Sequence, residues 1–370
     1  MKKASYRKRL ADLRERMSHA GPDTLWVIQP ENRRYLSGFK AGDGQLTESS
    51  GSLLITQTES LLVTDSRYTT EAEIESVDFE VVTLKKGLVE GLPGLLARLG
   101  TRRLGFEENH VTWGLHHELA GKLKKLAPPV RLVPLKSLVE ELREVKDREE
   151  VGAMEASSNL MSDILAEVFR TLKSGTTEKR VAWQIEGLAR EGGVESLAFP
   201  SIVASGPNSA LPHAVPTDRK IREREPITFD VGVRLDGYCC DMTRTIFIHG
   251  PSPKLKRIYK TVRKAQLAGL AEVRPGVDST GPDSTAREII RQAGFGDYFG
   301  HSLGHGVGLA THERPRLGPE NPVKLKEGMV VTVEPGIYVP RLGGVRLEEM
   351  AVIEKRGARV LTRDDHFYDF

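Results

Sequence analysis

The residues of this 370-residue chain best placed to do chemistry together lie within 226–248, PITFDVGVRLDGYCCDMTRTIFI. Asp236-Gly237, a pair that accepts positive φ, separates two runs of strand-favouring residues and predicts a two-residue hairpin turn. If Leu235 faces Tyr238 across that turn, Gly232 faces Asp241 and Asp230 faces Thr243. Asp230 and Asp241 then become diagonal neighbours on a face shared with Thr228, Gly232, Thr243 and Thr245. Ile227, Phe229, Val231, Val233, Cys240, Met242 and Ile246 line the other face, and Arg244 breaks the alternation. Two carboxylates aimed at one point repel each other, and a shared proton or a bound cation relieves them. A solvated outer face of a ribbon is the plainer alternative.

Further clusters lie on either side of the hairpin. GHSLGHGVGLATHERP carries His301, His305 and His312, VEPGIY carries Glu334, and GVRLEEMAVI carries Arg346, Glu348 and Glu349; upstream, LPHAVPTDR carries His213. Taken singly, each has an ordinary explanation: a histidine bonded to backbone, a turn-starting glutamate, charges at a strand edge. Taken together, two Asp, one His and two Glu make a ligand set for a pair of divalent ions. Four carboxylate charges match two M2+, and a neutral imidazole adds a nitrogen donor without charge. Two ions about 3.5–4 Å apart around a bridging hydroxide can acidify water, polarise a carbonyl and stabilise a tetrahedral oxyanion. Hydrolysis of an acyl bond is the natural chemistry of such a set.

The elements that must position these residues can be read from pattern. The length predicts two domains, and 39% hydrophobic residues suffice for a sizeable core. A helix is expected at 6–17, then strands at 24–29, 52–56, 60–64, 79–84, 103–106 and 131–135, with amphipathic stretches at 68–76, 87–99 and 113–126. This alternation predicts an α/β amino-terminal domain with a mixed sheet. From about 137 to 175 the pattern turns helical and charged, which puts the domain break near Lys146, between domains 1–146 and 147–370. A helix at 178–191 precedes a strand-rich part beginning near Glu195. Helices are expected at 253–273 and 278–293, then Gly-rich loop and strand at 300–310, 328–339 and 344–354, and a short tail. The carboxy-terminal half therefore reads as α+β, a curved sheet with helices outside it.

Composition narrows the partners. With 54 basic and 51 acidic residues the formal charge is +3, which points to neither nucleic acid nor a membrane surface. The basic opening MKKASYRKRLADLRERM runs into a charged, helix-like segment instead of the apolar run of a secretory signal. No stretch approaches the roughly 20 apolar residues of a membrane span. Cys239 and Cys240, adjacent to each other, suit no disulfide framework, so a reducing cytoplasm is the expected location.

In order along nearly the whole chain, NRRYLSGF (32–39), TDSRYTTEA (64–72), DVGVRLDGYCCDMTRT, GHGVGLATHE, VEPGIY and GVRLEE resemble the pita-bread metallopeptidases of the aminopeptidase P and prolidase branch. The resemblance implies a creatinase-like α/β amino-terminal domain and an α+β pita-bread catalytic domain. It implies Asp230, Asp241, His305, Glu334 and Glu348 as ligands of two divalent ions, Mn2+ foremost, with Co2+, Zn2+ and Fe2+ also suited to these donors. His213 and His312 would donate to the substrate carbonyl or its oxyanion, worth about 3 kcal/mol per well-placed donor. Glu334 would also shuttle a proton, and His301, Arg346 and Tyr338 would contact substrate. Two positions depart from the family pattern: Cys240 stands where serine is usual, and Glu348-Glu349 where Glu-Asp is usual. The implied activity is metal-dependent hydrolysis of the Xaa-Pro bond at the amino terminus of peptides, as an Xaa-Pro aminopeptidase or an Xaa-Pro dipeptidase, in a homodimer. The preference for proline comes from the resemblance and not from spacing. The alternatives are a relative that has lost its metals and serves as a binding protein or chaperone, or another amidohydrolase on the same fold. Retention of all five ligand types argues against the binding protein.

Overall fold

Short apolar runs in the first third of the chain become β1 (Thr24–Val27), β2 (Ser52–Thr56), β3 (Ser60–Thr64), β4 (Glu80–Thr83), β5 (Arg103–Glu107) and β6 (Arg131–Leu135). The computed structural model describes residues 2–45, 47–363 and 366–368. Its chain divides into two units, one running through Arg143 and the other beginning at Glu144. In the first unit the strands form one sheet ordered β4-β3-β2-β1-β5-β6. Antiparallel pairs at β1/β2 and β2/β3 and parallel pairs elsewhere make it the mixed sheet expected. Trp26, Leu54, Leu61, Leu104 and Phe106 pack against Leu92 and Leu96 of helix Leu88–Arg98 and Leu119 and Leu123 of helix Trp113–Leu123. One helix was not expected: Pro30–Ser37 opens on proline and closes on Gly38 at φ 87°, so its stop and start signals are local although it is too short for periodicity.

The second unit starts with a capping box. Asp147 accepts from the amides of Glu149 and Glu150 while the Glu150 carboxylate takes the Asp147 amide, which launches helix Arg148–Thr171. Beyond it lie β7 (Ser196–Leu197), β8 (Ile202–Ser205), β9 (Ile227–Val231), β10 (Val233–Leu235), β11 (Tyr238–Cys239) and β12 (Met242–Ile246). Asp236 and Gly237 both take positive φ, 49° and 86°, as a type I′ turn requires. Leu235 pairs with Tyr238 and Asp230 with Thr243, the register the turn predicts. Gly232 separates β9 from β10, and only glycine fits there, because a Cβ would lie 2.2 Å from the Cys240 carbonyl oxygen.

The remaining strands are β13 (Gly304–Gly306), β14 (Glu313–Leu317), β15 (Val330–Val333), β16 (Gly336–Val339), β17 (Gly343–Arg346), β18 (Glu349–Glu354) and β19 (Gly357–Val360). They form the sheet β14-β13-β15-β18-β19 and the ribbon β16-β17 beside β12-β9-β8. The strand β19 occupies what pattern suggested was tail. Helix Pro253–Glu272, capped by Ser252, and helix Thr280–Gln292 cover the sheets through Ile258, Tyr259, Val262 and Ile290 against Val331, Val333, Ile337 and Val345. Among the described residues no helix is long and apolar enough to cross a membrane.

Candidate metal centre

Alternation along the hairpin sends Asp230 of β9 to one face, and Asp241, between β11 and β12, to the same face. His305 of β13, Glu334 just after β15 and Glu348 just before β18 arrive from the other sheet. Backbone bonds lock this convergence: the Glu334 amide donates to the Leu303 carbonyl at 2.8 Å and the Glu348 amide to the Thr243 carbonyl at 3.1 Å. Donor atoms of Asp241, His305 and Glu348 all lie within 4.8 Å of one another. His305 Nε2 is 3.7 Å from Asp241 Oδ2 and 3.3 Å from Glu334 Oε1. Its Nδ1 is 3.0 Å from the Gly306 carbonyl oxygen, which can only accept, so Nδ1 carries a hydrogen and Nε2 turns to the carboxylates.

Arg346, at the end of β17, organises the opposite flank. It donates to Asp230 Oδ2 at 2.6 Å, Thr243 Oγ1 at 3.1 Å, Tyr338 Oη at 2.9 Å and the Pro212 carbonyl at 3.2 Å. Thr243 in turn donates to Glu348 Oε2 at 2.7 Å. His301 Nδ1 gives its hydrogen to the Ser302 carbonyl at 2.8 Å, so Nε2 accepts from the Tyr338 hydroxyl at 2.9 Å. Burial lowers the His301 pKa, consistent with a neutral ring.

The electrostatics are those of a site short of positive charge. Burial first, then the charges of Glu348, Asp230 and Glu334, push the Asp241 carboxyl well above its ordinary range. Burial, then Glu334 and Asp230, do the same to Glu348. Asp230 is also raised by burial, against the pull of Arg346. Burial would raise Glu334 too, but the hydrogen bond and charge of His305, with His301 and Arg346, outweigh it and hold this carboxyl at about 2. The same contact keeps His305 above its usual value despite burial. Glu348 Oε1 is buried with no hydrogen-bond partner among the described residues. A buried carboxylate oxygen left bare beside three other acids is what a divalent cation would satisfy, and oxygen-rich donors with one imidazole suit such an ion.

The other predicted residues sit around this centre. His312 is exposed, its ring 4.3 Å from that of His305. Partial burial and then His305 lower its pKa, and His213 adds to the effect from an exposed turn. The loop bearing His213 is closed at its base by Glu178, which is fully buried and accepts from the amides and hydroxyls of Ser205 and Thr217. Glu349 points away from the centre, toward buried Arg244 and Thr362. Arg244, the exception to the hairpin's alternation, also donates to the Glu348 and Thr243 carbonyls, so its charge is consumed inside the protein.

One residue escaped the sequence reading. Arg316 of β14 pairs with His305 across the ladder, and directly opposed residues share a face. Arg316 is exposed on the strand opposite His305, its Nε donating to Ser302 Oγ at 2.7 Å. Sequence spacing does not mark it, because a bulge between His305 and Gly306 resets the register.

With this geometry in place, likeness to known proteins becomes informative. Residues 152–355 match the family model of metallopeptidase family M24, and residues 9–145 match the creatinase/prolidase N-terminal domain. The chain belongs to metallopeptidase family M24. This M24 chain is 34% identical over 363 residues to the Xaa-Pro dipeptidase of Pyrococcus furiosus, covering 97% of itself and 99% of that protein. The solved Xaa-Pro dipeptidase from Bacillus anthracis aligns with a TM-score of 0.90 at 33% identity, over 97% of this chain and 98% of that one. The X-Pro aminopeptidase from Thermotoga maritima aligns with a TM-score of 0.83 at 34% identity, over 94% and 97%. The expected pairing of a creatinase-like amino-terminal domain with a pita-bread catalytic domain is therefore shared along nearly the whole M24 chain, and dependence on divalent metal goes with the family.

Proposed function

We propose that this metallopeptidase is an Xaa-Pro dipeptidase, cleaving the bond that precedes a carboxy-terminal proline, with Asp230, Asp241, His305, Glu334 and Glu348 holding two divalent ions, Mn2+ foremost. The observation that carries the proposal is the Asp241–His305–Glu348 group, its carboxylates buried and Glu348 Oε1 without a partner among the described residues, in a chain alike over 97% of its length to proteins named Xaa-Pro dipeptidase. When bound, the ions would supply water acidic enough to attack at neutral pH and a Lewis acid for the scissile carbonyl.

The chain's own residues do the rest. Glu334 is kept ionised, as an acceptor of the attacking water's proton must be. His213 and His312, on the exposed rim, can donate to the carbonyl oxygen as negative charge develops there. Arg346 holds Asp230 and Tyr338 in place, and Tyr338 holds neutral His301. Arg316, paired with His305 across the ladder and exposed, offers its fork to the free carboxylate of proline. A longer peptide has no carboxylate at that position, which favours the dipeptidase over the aminopeptidase. Residence in the cytoplasm is proposed from the two buried, reduced cysteines, and a homodimer from the family resemblance.

The test is hydrolysis of Xaa-Pro, Xaa-Pro-Yaa and Xaa-Pro-NH2 by protein reloaded with Mn2+. Preference for the free dipeptide is expected, with Arg316→Met raising KM for it and not for the amide. Equal kcat/KM on the tripeptide would make the enzyme an aminopeptidase. No cleavage by protein with metal bound would reopen the substrate question in favour of another amidohydrolase on the same fold, and failure to bind metal would return the binding protein as the better account.

A further inference from the structure

We infer that Arg287 is a positioning residue for this reaction, because it grips the loop from which His301 and Ser302 reach the site; the Ser302 arm rests on the dipeptidase proposal above. Arg287 and Asp283 lie one turn apart on helix Thr280–Gln292 and pair through two parallel bonds, Nε to Oδ2 and Nη2 to Oδ1, both 2.9 Å. An i,i+4 pair of this kind contributes only a few tenths of a kcal/mol to a helix and needs nothing beyond the helix. Here both partners reach out. Arg287 donates from Nη1 to the Phe299 carbonyl at 3.0 Å and from Nη2 to the His301 carbonyl at 2.8 Å, and Asp283 Oδ1 takes the Leu303 amide at 2.9 Å.

Three alternate residues of one loop are therefore held by a single ion pair. The guanidinium also lies 4.3 Å from the centre of the Phe299 ring, which packs edge-to-face with the His301 ring at 5.0 Å between centroids. Between the gripped residues, His301 accepts from Tyr338, and Ser302 Oγ accepts from Arg316. The arrangement makes one helix face the reference for His301, bonded to Tyr338, and for Ser302, bonded to Arg316. Asp283 is 1% exposed while Arg287 is about one-third exposed, so the arginine can be replaced without opening a buried cavity.

The experiment compares wild type, Arg287→Met, Arg287→Lys and Ser302→Ala, each loaded with Mn2+, for metal content, Tm, and kcat and KM on Xaa-Pro and Xaa-Pro-NH2. Binding of an uncleavable Xaa-Pro analogue with a reduced peptide bond, followed by calorimetry, gives a readout independent of turnover. Arg287→Met is expected to keep its metal and lose about tenfold or more in kcat on both substrates, since a displacement of a group by about 1 Å can cost a hundredfold. KM for the free dipeptide and the analogue's Kd should rise about fivefold, the scale of an exposed ion pair, with KM for the amide unchanged. Ser302→Ala should show the KM and Kd shifts without the fall in kcat. Arg287→Lys should recover Tm but not kcat, because one ammonium cannot span two carbonyls and a carboxylate in the same plane.

A lowered Tm with wild-type kcat, KM and Kd in Arg287→Met would make the pair a structural tether and overturn the inference. Should that variant not fold, wild-type kcat in Arg287→Lys together with wild-type Kd in Ser302→Ala overturns it equally. If wild type shows no preference for the free carboxylate, the Arg316 assignment fails, and the kcat of Arg287→Met still decides the His301 arm.

Discussion

Arg346→Met tests whether the carboxylate cluster is built for cations. Arg346 is 4% exposed and bonds Asp230, Thr243, Tyr338 and the Pro212 carbonyl, while methionine keeps the length of the stem and deletes every donor. Removing one partner of a buried ion pair costs about 3–5 kcal/mol, because the other charge stays buried without compensation. For a unit the size of residues 144–370, each kcal/mol moves the melting temperature by about 2–4 °C, so in EDTA the variant should melt about 6–20 °C below wild type. Two divalent ions would match the four carboxylates by themselves. With Mn2+ present the deficit should shrink to the lost hydrogen bonds, about 1–2 kcal/mol. Scanning calorimetry of both proteins in EDTA and in saturating Mn2+ makes the comparison; stabilisation by metal common to both cancels in the difference, and the change in the gap is the extra stabilisation of the variant. Equal gaps between the proteins under the two conditions would refute the reasoning, since Arg346 would then be balancing something other than the site's excess negative charge.

Two further outcomes follow from the same geometry. Asp241→Ala should lose metal and activity together, whereas His213→Ala should keep its metal content and lose turnover; wild-type turnover in the second would remove His213 from the catalytic set. Burial pushes the Cys240 thiol up to about 12 and Cys239 is buried too, so at pH 8 Cys240 stays protonated and neither should react with a disulfide reagent until the protein unfolds. Rapid labelling of the native protein would show that the hairpin opens far more easily than its packing implies.

Features that depend on neighbours along the chain are legible in the amino-acid sequence. The Asp236-Gly237 turn has a local conformational requirement, and once it is placed, period-2 alternation puts Asp230 and Asp241 on one face without reference to the rest of the chain. The covered strands of the first unit and the helices Glu178–Glu191 and Pro253–Glu272 are legible for the same reason: periodicity, caps and stops are local. Helix Pro30–Ser37 is not, because eight residues are too few for a periodic signal, although its proline and glycine stand at the right ends.

Residue types and their order along the chain thus determined the chemistry on offer: acids and imidazoles in number and kind for divalent metal, carried on strand ends. Tertiary structure decided how that chemistry is balanced and aimed. Arg244 breaks the hairpin's pattern because its charge meets Glu349 and the Glu348 carbonyl from another strand. Glu348 and Glu349 are neighbours of one type, and their partners on β12 separate them: Thr243 bonds Glu348 at the centre, and Arg244 takes Glu349. Arg316 gains its place from a ladder with His305, and Arg287 from a loop that packs on its helix. Such pairings join residues far apart in sequence, and their energies depend on burial and on the charges around them, neither of which a local pattern encodes.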